Sequence, residues 1–472
     1  MLSKLRPILV GSLAVALAGL GVAAAAPTST AAAPRTITVA VNGNDHAAGT
    51  ASAPLRTLQA AVDRLHAGGT VDIRGGRYYQ KVELSGVTGI TVQAHRNEHV
   101  VLDGSRFAPA DGRSAMVTIS DSSRVKVTGL EITNYRSSNL DAMPIGIYVH
   151  GGGDHLTIDG NRVHDLGNDN QTMGSFDINA HGIAVYGDNA AHSITDLRIS
   201  NNTVDHLSLG ASETVVVNGN VDGWTISGND IHDNNNIGID AIGYESTLTG
   251  KYRYTDLNRA RNGVISNNRV SNIRSEGNPA YYEDGGWCNC ADGIYVDGGT
   301  HIVIRNNVVT GNDIGIEVAA ENARGMADHV DVRSNRVTGS LYVGITTGGY
   351  CDGASECGDV KTGTSHDNTF IGNTLRGNNS LNDGSPELLI QYYAFNNVIR
   401  NNSITATNDA GALIGTVDRA ASDRVSGHNL SDRNTFAVQG TNAVSFGWLG
   451  RSYSSFAAYQ KGSGQDAHSV FK

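Results

Sequence analysis

From about residue 146 onward the chain alternates apolar and polar positions in short runs, and one phrase keeps returning. It reads Gly-Ile-x-Val-x-Gly, a loop, x-Ile-x-x-Asn, a bend, and then the start again. The first half appears as GIYVHG (146–151), GIAVYG (182–187), TVVVNG (214–219), GIDAIG (238–243), GIYVDG (293–298), GIEVAA (315–320), GITTGG (344–349) and LLIQYY (388–393). The second half ends on Asn161, Asn202, Asn229, Asn268, Asn307, Asn335, Asn373 and Asn402. Alternation with period two marks strands with one buried face. A strand-turn-strand unit recurring every 22–32 residues or so marks a solenoid. No single unit can bury its Ile and Val alone, so stacking must build the core. An Asn at the same bend of every coil predicts an internal amide ladder, each side chain bonded to its copies above and below. The Leu spacing of leucine-rich repeats is missing and helical pattern is scarce, which leaves an all-β fold, a parallel β-helix.

Solenoids need capped ends. Ser52–Leu65 predicts an amphipathic helix with Leu58, Ala61, Val62 and Leu65 on its apolar face, and Tyr453–Lys461 predicts a second helix at the far end. Strands are expected at Gly69–Ile73, Lys81–Leu84, Ile90–Ala94 and Val100–Leu102. The stretch VAVNGNDHAAGTASAPLRTLQAAVDRLHAGGTVDIRGGRYYQKVEL resembles the opening of secreted right-handed β-helix proteins of the pectate-lyase-like superfamily, with a first strand, a capping helix and a Gly-Gly-x-Tyr strand. The resemblance implies a single right-handed parallel β-helix over most of the chain. It does not choose an activity, because that fold carries lyases, hydrolases, epimerases, esterases and adhesins.

The N-terminus changes the cellular picture. Lys4 and Arg6 precede an apolar run, Ile8 to Val22, and the small residues Ala23–Ala26. That is the pattern of a secretory signal, too short for a comfortable membrane span. Residues 1–26 are read as signal peptide, 27–36 as linker and 37–472 as the β-helix, so a secreted, extracellular monomer is expected, with no membrane contact after cleavage. A formal charge of -11 argues against nucleic-acid binding, which needs a basic footprint. Export permits disulfides. Cys351–Cys357 is the favoured local bridge, with Cys288–Cys290 as a tight second one and cross-pairing as the alternative. A zinc site is the lesser reading, since Cys-x2-Cys pairs are absent.

Stacking the repeated strands in register, about 4.8 Å apart, sorts their outward positions into columns. One column holds Ala184, Val216, Asp240, Tyr295, Glu317 and Thr346, and the next holds Tyr186, Asn218, Ile242, Asp297, Ala319 and Gly348. Asp240 and Glu317 then share a column two rungs apart, with Asp297 on the rung between, one step across. Strand beginnings add His181, Glu213 and Asp292, and Glu387 and Gln391 extend the polar line. Three insertions crowd the same rungs: Tyr244–Asn262, Ser275–Ala291 with Trp287, and Tyr350–His366. Aromatic loops beside acids suit a sugar chain. Asp240, Asp297 and Glu317 are the candidate catalytic residues. Glu213, Asn218, His181, Asp292, Tyr295, Trp287, Glu387 and Gln391 are the candidate substrate contacts. Asp313 and Glu321 read as turn residues flanking strands. No cofactor is firmly expected, although Asp292, Asp297 and Glu317 could hold Ca²⁺.

The same stretch resembles β-helix glycosidases of the β-xylosidase and lacto-N-biosidase kind, which place an Asp after a Gly-Ile-x-x strand and a second acid on a following strand. That resemblance implies Asp297 as nucleophile and Glu317 as acid/base. Where those enzymes carry Trp or His beside the acids, Gly298 and Ala319 stand here. A secreted glycoside hydrolase acting on a polysaccharide or oligosaccharide is therefore the leading expectation. A Ca²⁺-dependent polysaccharide lyase on a uronate glycan is the alternative, with Lys251, Arg253, Arg259 and Arg261 as its basic residues. A non-catalytic glycan-binding solenoid comes third.

Overall fold

The computed structural model describes residues 35–65, 68–349, 363–416 and 427–472. The expected leader, and most of the third insertion with Cys351 and Cys357, lie outside these residues. The described chain is a right-handed parallel β-helix. Its first strand, Thr36–Val39, begins one residue before the expected boundary, because the amide of Thr70 already bonds to the carbonyl of Arg35.

The repeated phrase stacks in the predicted register. Ile183 lies opposite Val215, Val215 opposite Ile239, Ile239 opposite Ile294, Ile294 opposite Ile316 and Ile316 opposite Ile345. These side chains are fully buried in one continuous core with Ile199, Ile226, Ile265 and Ile304 of the second strand column and Val204, Val270, Val309 and Val337 of the third. The Gly of the phrase has a steric cause. A Cβ at Gly182 would stand 2.6 Å from Val204, at Gly238 2.8 Å from Val270, at Gly293 2.9 Å from Val309 and at Gly315 2.3 Å from Val337. The chain turns its corner at that Gly, pressed against the third column. The residue just before it therefore emerges on the outer face.

This corner corrects one expectation. Leu388 pairs with Ile345, so Glu387 occupies the inward place that Gly344 holds one coil earlier. Its two carboxyl oxygens accept from the amide of Asn378 at 3.0 Å and from its side chain at 2.6 Å, and it is 0% exposed. Glu387 closes an internal amide stack and takes no part in a groove.

The predicted Asn ladder is continuous from Asn161 through Asn202, Asn229, Asn268, Asn307, Asn335 and Asn373 to Asn402. Each member after the first offers its side-chain oxygen to the preceding member's backbone and side-chain N–H, at 2.9–3.1 Å. Asn434 extends it by one rung beyond the predicted set. The residue before each Asn is left-handed, at φ 64° for Gly160, 54° for Asn201 and 57° for Asn267, which is why Gly and Asn recur there.

The front cap is shorter than predicted. Its helix spans Leu58–Asp63, because Leu55 is held extended against Val39 and Thr57 caps the first turn. The four expected apolar residues of that helix region are buried. The rear helix is Phe456–Ser463, capped by Ser455 and ended by left-handed Gly464. Cys288 and Cys290 form a disulfide. Among the described residues no helix is long and apolar enough to cross a membrane.

Candidate functional site

Register places the acids as the columns predicted. Asp240 lies opposite Tyr295 and Tyr295 opposite Glu317, while Asp297 faces Ala319 and Asp292 faces Ile314. These outward positions are nonetheless buried: Asp240 and Glu317 are 2% exposed, Asp292 3% and Asp297 7%. The insertions account for this. The loop after Ile242 folds into two short 3-10 turns, Gly250–Tyr252 and Asp256–Asn258. The loop after Arg274 makes the turn Pro279–Tyr281 and a small hairpin pairing Tyr282 with Trp287.

Two cavities open over the rungs. One, of about 310 Å³, is lined by Asp292, Tyr295, Glu317, Glu321 and Gln391, with Tyr281, Tyr342, Ile237, Ile314 and the Cys288–Cys290 bridge as walls. The other, of about 350 Å³, is lined by Glu245, Arg253, Asp297, Glu321 and Asn322. Glu321 belongs to both. It carries a solvent-exposed surface, its amide donates to Asp297 Oδ1 at 2.7 Å, and the Tyr295 hydroxyl reaches its carboxyl at 3.5 Å. In the sequence it looks like a turn residue because it lies past the strand end. Only the chain's return over Asp297 brings it into the groove. Glu245, the other missed acid, sits in an insertion whose path has no periodicity to read.

The remaining expected contacts sort by depth. Asp240 and Glu213 lie beneath the groove, with Asp240 Oδ1 buried and unpartnered among the described residues. His181 is behind Glu213. Its Nδ1 donates to the Glu213 carbonyl at 3.0 Å and its Nε2 faces the Tyr186 hydroxyl at 3.2 Å. Burial lowers the His181 pKa to about 4, so the ring is neutral and its 3.5 Å approach to the Glu213 carboxyl is no ion pair. Asn218 anchors the first insertion, donating to Glu245 at 2.8 Å and accepting from Thr247 at 2.6 Å. Trp287 packs edge-on against Tyr282 and is not among the residues lining either cavity.

The acids perturb one another. Burial, then Glu213 and Asp297, hold the Asp240 pKa well above the usual carboxyl range. Burial, then Glu317, does the same for Asp292, and the two carboxyls share a hydrogen bond, which requires a proton between them. Asp297 is raised by burial and by Glu321, but the Glu321 N–H favours its charged form. Burial and Glu245 raise Glu213 to about 8. A group whose folded pKa lies above its unfolded value stabilises fully below the unfolded one and loses that contribution as pH rises through the folded one. For Glu213 the window runs from 4.5 to about 8. The melting temperature is expected to fall across that window, and Glu213→Gln to flatten the fall. An unchanged slope in the variant would remove Glu213 from this account.

Most basic residues of the first insertion are engaged elsewhere. Arg259 is buried and bonded to Gly298, Gly299, Met326 and Asp328. Arg261 bonds to Asp222 and Asn220, and Lys251 lies over Tyr252. Arg253 alone of the four lines the acid groove. Among the described residues, the one group of three whose donor atoms all lie within 4.8 Å is His301, Asp328 and His329, away from the groove. There the His rings stack 4.7 Å apart at 2°, so their ring-plane lone pairs run parallel rather than meeting, and Asp328 is already held by Arg259.

No protein-family profile matches the chain. It is 37% identical over 437 residues to the uncharacterized protein YwoF of Bacillus subtilis (strain 168), covering 92% of this chain and 86% of that one. Over 121 residues it is 32% identical to pectate lyase PEL9 of Emericella nidulans, covering 24% of this chain and 29% of that one. Among solved structures, the GH136 lacto-N-biosidase of Eubacterium ramulus superposes with a TM-score of 0.50 at 14% identity, over 86% of this chain and 68% of that one, a likeness of fold.

Proposed function

This chain belongs to the family of Bacillus subtilis YwoF, and on that footing we propose that it is an exported, monomeric carbohydrate-active enzyme that hydrolyses a glycosidic bond in the acid groove. The observation that carries the reading is a set of buried carboxyls under two cavities that meet at Glu321, in which burial and neighbouring acids keep Asp240 and Asp292 neutral while Asp297 receives a backbone N–H that favours its charged form. A carboxyl that stays neutral at neutral pH is what a general acid requires.

The roles follow from the environments. Asp297 receives a backbone N–H and so ionises more readily than Asp240, whose Oδ1 has no donor among the described residues. Asp297 attacks the anomeric carbon. Glu317, which shares a proton with Asp292, gives that proton to the departing oxygen. Glu317 then takes a proton from water as the water releases the sugar from Asp297. Asp240 and Glu213 lie beneath, and repulsion among these acids keeps the set from ionising together. Tyr281, Tyr295 and Tyr342 line the cavity as aromatic walls for a sugar ring.

The stretch similar to pectate lyase PEL9 favours β-elimination as a second reading. It needs a base and cationic neutralisation of a uronate. Arg253 is the basic residue lining the groove, facing Glu245, Asp297 and Glu321. The two readings separate on a glycan panel assayed for reducing ends and for absorbance at about 235 nm, where unsaturated uronates absorb, with and without EDTA. New reducing ends without unsaturated product are expected. Unsaturated product that disappears with EDTA would replace hydrolysis by elimination.

A further inference from the structure

The cavity over Asp292 gathers acids that burial and mutual repulsion keep from ionising together. Among the described residues lining it are Asp292, Glu317 and Glu321, and no Lys, Arg or His. Asp240 and Glu213 lie close enough behind to disfavour ionisation of the whole set. Asp292 is 3% exposed, and its Oδ1 has no hydrogen-bond partner among the described residues although the side chain lines the cavity. A buried carboxyl oxygen without a donor is costly, more so if charged, so a ligand that brings a donor recovers that cost. A sugar hydroxyl satisfies the hydrogen bond alone. An ammonium satisfies both the hydrogen bond and the charge.

The walls narrow the class further. Tyr281, Tyr295 and Tyr342 stand with Ile237 and Ile314 around a space of about 310 Å³. That is near the lower end of ligand pockets, about 300 Å³, and suits one ring rather than a chain. Aromatic faces accept both a pyranose C–H face and a nearby cation. A uronate would bring a further carboxylate among three lining acids, with no Lys, Arg or His among the described lining residues to receive it. A bare divalent cation would find no three groove acids with donor atoms within 4.8 Å of each other among the described residues.

We propose, resting on the glycan reading above, that this cavity is a subsite for a sugar unit bearing a free primary amine, with the ammonium against Asp292 and Glu317. The preferred substrate class is thus a glycan containing unacetylated hexosamine. When the ammonium enters, the proton shared by the two carboxyls is released and the pair becomes the counter-ion.

The test is calorimetric titration of the whole mature protein with glucosamine oligomers and with N-acetylglucosamine oligomers of equal length. It is run near neutral pH, at low and at high salt, in two buffers of different ionisation enthalpy. The amine series is expected to bind at least tenfold tighter and to release protons, seen as a buffer-dependent enthalpy. Asp292→Asn is expected to lose that preference. Equal affinities, or tighter binding of the acetylated series, would overturn the subsite. Hydrolysis of neutral glycans would then stand untouched. A preference kept in Asp292→Asn would assign it to the overall negative charge and also overturn the subsite. Amine-selective binding without cleavage of any glycan would keep the subsite and overturn the hydrolase reading. The wild-type comparison decides the question even if the variant fails to fold.

Discussion

Replacing Asp297 by asparagine is expected to lower glycan cleavage by about 10³-fold or more, and Glu317→Gln by a similar factor. Both changes keep side-chain volume and leave the strand ladder intact, so the circular dichroism spectrum and the melting curve should stay close to wild type. In Asp297→Asn the amide oxygen would still accept the Glu321 N–H now held by Asp297 Oδ1. What the variant loses is the ionised oxygen that attacks. Glu317→Gln removes the transferable proton, so its effect carries a second signature. The alkaline limb of the pH–rate profile reports loss of a proton from the general acid, and that limb should disappear in Glu317→Gln and persist in Asp297→Asn. Substrates with a good leaving group need less protonation and should recover much of the rate in Glu317→Gln alone. Wild-type rates in both variants would remove this pair from the chemistry and point to Glu321, which borders both cavities.

The largest structural effect is expected at the centre of the Asn ladder. Asn268 accepts from the Asn229 backbone and side-chain N–H at 3.0 Å each, and donates to the Ile226 carbonyl at 3.0 Å and to Asn307 at 3.0 Å. It is 1% exposed. Asn268→Ala leaves those donors and that carbonyl without the partner it supplied, in a place water cannot easily reach. At about 1–3 kcal/mol for each unsatisfied buried group, the loss should come to about 3–5 kcal/mol. Each ladder residue serves two coils, so the damage is not confined to one. Gln171→Ala, an exposed polar change on a loop, should stay within about 0.5 kcal/mol. The measurement is the denaturant midpoint of both variants against wild type. A shift in Asn268→Ala no larger than that of the control would show the ladder to be decoration.

Expecting such different costs from two polar substitutions rests on which information is local. The ladder was legible because the αL-plus-Asn bend recurs at the end of every second strand, and a repeat in sequence becomes a stack in space. The columns were legible for the same reason. Period-two alternation leaves one choice of inward face, so Asp240, Tyr295 and Glu317 had to align. The Gly of the phrase marks an inward corner, and Glu387 stands at that corner, so its burial against Asn378 follows from the register alone.

Other features had no local signal. Outward on a strand was read as facing a groove, yet Asp240 ended beneath the floor, and only the insertions folding back over the sheet decide that depth. Glu321 lies beyond the last strand residue and becomes part of the site through one hydrogen bond to Asp297. Glu245 arrives on a loop whose position depends on Asn218. Arg259, a candidate base for the lyase alternative, is buried and bonded to three carbonyls and Asp328.

The sequence by itself therefore determined the solenoid, its register, its amide spine and the face on which acids would gather, since each depends on side chains repeating at fixed spacing. The tertiary structure alone decided how deeply each acid is buried, which ones line a cavity, and that no Lys, Arg or His stands among the described residues lining the Asp292 cavity. Those properties depend on distances between segments far apart in the chain, and on how much water the folded loops leave around each carboxyl.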